Sequence, residues 1–122
     1  MTARVGRALV AVAAVTLLAG ILPRVASAQV TDDNVTQQLQ NAKTPADHQA
    51  LADYFKAKAS AAAENATKHE AMMGTGSGRH GSQSVWRQHC LKLIKTYQTQ
   101  AAEYQALAKQ QEKLAKAGTK GG

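Results

Sequence analysis

From Thr44 to Met73, apolar and small residues recur at alternating steps of four and three: His48, Ala52, Phe55, Ala59, Ala62, Ala66, His69 and Met73. That spacing predicts one unbroken stripe down a long helix. Ser84 to Ala117 follows the same rule with bulkier side chains: Trp86, Cys90, Leu93, Tyr97, Gln100, Tyr104, Leu107, Gln111 and Leu114. The linker GTGSGRHGSQ between them has four glycines and no apolar period, so it reads as a turn over 74–83. The pattern therefore predicts an all-α chain whose main body, residues 44–117, is a long antiparallel helical hairpin.

The ends of the first long helix are written in the sequence. Thr44 is placed to accept from exposed amides as N-cap, Pro45 occupies the first helical position, and Asp47 sets negative charge in the first turn. Gly74 supplies a stop. In the second helix, Ser82 or Ser84 is the expected cap and Gly118 the expected end, leaving 118–122 as a loose tail. The two helices come to roughly 45 and 50 Å. With the turn centred near Arg79, Tyr104 meets Phe55 and Tyr54, Tyr97 meets Ala61 and Ala62, His48 meets Gln111, and Leu107 meets Leu51 and Ala52. The same register sets Asp47 and Asp53 near Lys109 and Lys113.

Residues 29–43 carry Val35, Leu39 and Ala42 at helical spacing behind Thr31 or Asp32 as cap, a short helix leaning on the hairpin. A core this rich in alanine is thin. Leu51, Ala63, Leu91, Ile94 and Ala101 are expected on a second face, which a homodimer would cover as a four-helix bundle.

Composition changes the picture mainly through the first 28 residues. Arg4 and Arg7 precede an uncharged apolar run, Ala8 to Leu22, and Ala26-Ser27-Ala28 is a small-x-small cleavage site. The reading is a signal peptide over 1–28, cut between Ala28 and Gln29, and a periplasmic or secreted product. The run is shorter than the roughly 20 residues a membrane-spanning helix needs, so no anchor is expected after cleavage. Loss of Arg4, Arg7 and Arg24 turns 15 basic and 8 acidic residues into 12 and 8, a balance of +4. The remaining basic residues are spread over helix surfaces, which argues against nucleic acid as partner and leaves envelope components or another helical protein.

One end of the hairpin gathers the residues with chemistry. His69 and Met73 share a face, the register sets them opposite His89 and Cys90, and His80 lies on the turn. Imidazole, thiolate and thioether together suit copper(I), or zinc without the methionine. The plain alternative makes His69 a boundary residue, Met73 a gap filler and Cys90 a small apolar knob. A lone thiol in an oxidising compartment is a ligand, a bridge between chains, a reactive group or a buried side chain. No C-x-x-C or H-E-x-x-H is present, and no third group orients a Cys90–His pair for catalysis, so no enzyme is expected.

The order Asp47-His48-x-x-Leu51-Ala52-x-Tyr54, then His69, then His89-Cys90-x-x-Leu93 with Tyr97 and Ala101-Ala102-Glu103, resembles small exported bacterial helical proteins of no assigned activity. The resemblance implies compartment and hairpin form. Gln110 and Gln111 stand where a second-end histidine would complete a far metal site. The expected function is a non-enzymatic structural or interaction module of the bacterial envelope. The alternative is a periplasmic soft-metal binder using His69, Met73, His89 and Cys90, with His80 as an auxiliary ligand.

Overall fold

The computed structural model describes residues 28–74 and 82–120. The expected signal segment, the glycine-rich turn with His80, and the last two residues lie outside the described residues. Three helices make up the described chain: α1 (Val35–Asn41), α2 (Pro45–Gly74) and α3 (Ser82–Thr119), with no strand among these residues. None of the helices is long and apolar enough to cross a membrane.

α2 starts as its first residues dictate. The Asp47 amide donates to Thr44 Oγ1 at 3.1 Å, and Asp47 Oδ2 accepts from the amides of Thr44 at 2.9 Å and Lys43 at 3.1 Å. Asp47 thus closes a reciprocal capping box as well as supplying first-turn charge. Those amide hydrogen bonds, Thr44's first, hold its carboxyl below the ordinary value.

α1 begins later than the spacing suggests. Thr31 and Asp32 belong to the turn before it, and Asn34 is the N-cap. The Asn34 side chain folds back, accepting from the Thr31 amide at 2.8 Å and donating to the Gln29 carbonyl at 2.9 Å. Val30, Val35 and Ala42 pack onto the cluster of Leu51, Phe55 and Ala108, while Leu39 faces water. Asp32, released from capping, fastens the segment to α2. Its carboxylate accepts from Tyr54 Oη and from Lys58 Nζ, each at 2.6 Å.

α2 and α3 pack along their length, the start of one against the end of the other. His48 Nδ1 donates to Gln111 Oε1 at 2.8 Å. Seven residues on along α2 and seven back along α3, Phe55 stacks on Tyr104 with ring centres 6.3 Å apart. Both contacts follow the expected register, and the buried row on α2 is the expected one: Ala52, Phe55, Ala59, Ala62 and Ala66.

The buried row on α3 differs. Cys90, Ile94, Ala101, Ala108, Gln111 and Ala115 are buried, with Tyr97 and Tyr104 partly so. Leu107 and Leu114, expected in the seam, are 38% and 43% exposed, and Gln100 is exposed. The two rows share every seventh residue, 90, 97, 104 and 111, and Leu93 of the expected row is half-buried. The cause is the alanine on α2. Ala52 and Ala59 come level with Ala108 and Ala101, and two small rows let the helix axes approach where leucines would wedge them apart. Ile94 and Ala101, expected on a second face, are therefore core, and Leu51, expected there too, is buried under Val30, Val35 and Ala42, whereas Leu91 is exposed.

An ion pair of the opposite polarity to the expected match also joins the two helices. Lys56 on α2 pairs with Glu112 on α3, while Asp47 is held in its capping box and Asp53 accepts from Gln49 at 2.9 Å. Gly118 does not stop α3, which continues to Thr119. A Cβ at Gly118 would stand 3.0 Å from Pro45 Cγ, so the glycine serves the close approach of the first residue of α2.

Candidate functional site

The seven-residue step that links His48 to Gln111 and Phe55 to Tyr104 sets His69 level with Cys90 at the other end of the pair. His69 is half-buried because its ring lies flat on Tyr97, with centres 5.6 Å apart and planes 15° from parallel. Its Nδ1 is sealed from water and has no hydrogen-bond partner. A buried polar nitrogen without a partner costs free energy, which gives a ligand or a bound water something to repay there. Cys90 is fully buried and carries a free thiol.

The other candidate ligands are spread more widely. Met73 is half-buried one turn beyond His69. His89, next to Cys90 in sequence but about 100° round the helix, is exposed and lies against Trp86 with ring centres 6.4 Å apart. The structure thus sets His69 and Cys90 on one level and points His89 outward. Among the described residues no three His, Cys, Asp or Glu side chains gather into a group that could hold a metal ion.

The far end carries a finished polar pair. Gln111 is buried, and its side chain occupies His48. Between the ends, two shallow grooves flank the seam. One, of about 340 Å³, runs past Ala63, Glu70, Gln98 and Gln105. The other, of about 170 Å³, is floored by Ala62 and edged by Lys58, Asn65, Tyr97 and Tyr104. Beside it the Tyr54 phenol is pushed up to about 12, first by burial and then by the Asp32 carboxylate that accepts its proton.

Two features were not foreseen from spacing. The Asp32 latch has a sequence signal, since Tyr54 and Lys58 stand four apart on one helical face. The second is what displacement of the leucines leaves behind. Trp86, Leu93, Gln100, Leu107 and Leu114, each seven residues from the next, form one flank of α3. Trp86 is 47% exposed, Leu107 and Leu114 are also exposed, and Leu93 is half-buried. The neighbouring row, His89, Thr96, Glu103, Gln110 and Ala117, holds a single acid, whereas Lys92, Lys95, Lys109, Lys113 and Lys116 lie on the remaining sides of the helix.

Comparison with protein families, with characterised proteins and with solved structures found no match to this chain.

Proposed function

We propose that this chain is a non-enzymatic, exported structural or interaction module of the bacterial envelope, which works by presenting one apolar flank of α3 to a partner. In this reading the chain is cut between Ala28 and Gln29, and residues 75–81 close α2 and α3 into a hairpin. The observation that carries it is the exposure of Trp86, Leu107 and Leu114, which with the half-buried Leu93 form an apolar row short of charge along α3. Scattered exposed leucines are ordinary, but a periodic row on one side of a helix is the footprint of another helix. The test replaces Leu107 and Leu114 by lysine. Helix content should be kept, since both side chains stand outside the seam, and the chain should leave the larger complexes in which the unaltered protein sediments in envelope extracts. An unaltered chain that already sediments free, or a doubly substituted one that stays in complexes, would remove the proposal.

A second reading has its own support in the unpartnered Nδ1 of His69 beside the level of Cys90. Here the chain is a soft-metal binder, with Met73 as a thioether donor and copper(I) as the metal best suited to the set. Titration of the chain from Gln29 onward with copper(I) and with zinc, against a competing chelator, separates the two. One-to-one binding that survives competition and is lost in a His69→Ala, Cys90→Ala variant supports the metal. Weak binding indifferent to those changes returns both side chains to the core.

A further inference from the structure

We infer that the occupant of the α3 flank is a second copy of this chain, lying antiparallel, with a twofold axis that passes between the two α3 helices at the level of Gln100. The inference rests on the reading of that flank as the working surface and names its partner. Its basis is the order of residues along the row. Outward from Gln100 the row meets Leu93 on one side and Leu107 on the other, each seven residues away, then Trp86 and Leu114, each fourteen away. A twofold axis at Gln100 therefore sets leucine against leucine and tryptophan against leucine, and brings the one amide of the row against its own copy. A two-fold interface demands a self-complementary patch of this kind, while an unrelated partner would place no such demand on the order of side chains.

Charge and size agree. At its centre the contact places amide against amide, which can hydrogen-bond reciprocally, and amides in otherwise apolar helical seams fix register. The single acid beside the row, Glu103, stands close to the axis, and the lysines of α3 occupy its other sides, so no cationic rows are pressed together. From Trp86 to Leu114 the row is about 42 Å long at 1.5 Å per residue. The free strip along α3 is about one helix diameter wide, roughly 10 Å, giving a footprint of roughly 400 Å² per protomer, the scale of a weak, reversible association. The part of that side near Leu51 is covered by the protein's own N-terminal segment, which holds Leu51 at 1% exposure. The free stretch lies along α3.

The test uses the chain from Gln29 onward with Cys90→Ala, so that introduced thiols report alone. Gln100→Cys should form a disulfide-linked dimer under mild oxidation, and Lys109→Cys, on the far side of α3, should not. Leu93→Cys and Leu107→Cys should each stay single and become linked to one another only when mixed. Sedimentation of the chain with its native side chains should give twice the chain mass, and Leu107→Glu should weaken association at least about tenfold. Self-linking of Leu93→Cys would overturn the antiparallel register. A chain that sediments as a monomer at about 100 μM, with no Gln100→Cys dimer, would overturn the second copy altogether. In that case, loss of envelope complexes on lysine substitution would still uphold the interaction reading with a different partner, so the two proposals fail separately.

Discussion

Exchanging the packing roles of two adjacent residues on α3 tests the seam directly. Ala108 is 2% exposed and belongs to the cluster with Leu51 and Phe55, whereas Leu107 is 38% exposed on the flank. Ala108→Leu forces three extra carbons between two helices that approach through alanine. Overpacking of that kind costs about 1–3 kcal/mol. Leu107→Ala removes three carbons already in partial contact with water. Full burial of a leucine is worth about 1.5–3 kcal/mol, so loss of part of a side chain only partly covered should cost about 1 kcal/mol or less. For a domain of this size each kcal/mol shifts the melting temperature by about 4–8 °C. Melting followed by circular dichroism at 222 nm should therefore drop by about 5–20 °C for Ala108→Leu and by no more than about 8 °C for Leu107→Ala. A dilution series separates any contribution of association through Leu107, which fades with concentration, from the cost within one chain, which does not. If Leu107→Ala proves the more damaging at the dilute limit, the seam runs through the leucines and the alanine register is wrong.

Four further outcomes follow from individual contacts. Asp32→Asn should bring the Tyr54 phenol down from about 12 without restoring its ordinary value, because burial, the larger cause, persists; a tyrosinate absorbance titration reads this, and an unchanged curve would break the latch. The Lys58 and Tyr54 hydrogen bonds hold the Asp32 carboxyl below 3.8, so its contribution is present above that value and is lost as pH falls through the lowered one. Amide exchange in α1 should accelerate in that acid window with Asp32 and not with asparagine. Thr44→Ala should cost about 1 kcal/mol in urea unfolding and expose the first amides of α2 to exchange, since its hydroxyl accepts from the Asp47 amide. Gln111→Ala should cost about 1–3 kcal/mol, because it leaves His48 Nδ1 without its acceptor in a half-buried site; a melting temperature within about 2 °C of the parent would show that water replaces the amide freely.

Local rules wrote much of this protein into its sequence. The start of α2 follows from Thr44, Pro45 and Asp47, whose side chains and rings act on neighbouring amides and need no distant partner. The buried row of α2 follows from spacing, and the glycines at its end framed a register that placed Phe55 on Tyr104 and His48 on Gln111. On α3 the same reasoning chose the wrong neighbours, because Leu93 and Ile94, or Leu107 and Ala108, offer two rows of equal period, and size alone favours the leucines. Which row turns inward depends on the surface it meets, and that surface is the alanine ladder of α2, which rewards close approach over bulk. The same contact sealed His69 Nδ1 beneath Tyr97, turned His89 outward and left Trp86, Leu107 and Leu114 facing out. Periodicity thus determined that two amphipathic helices would form and where one of them is apolar, and the meeting of two particular surfaces decided which side chains became core and which stayed exposed.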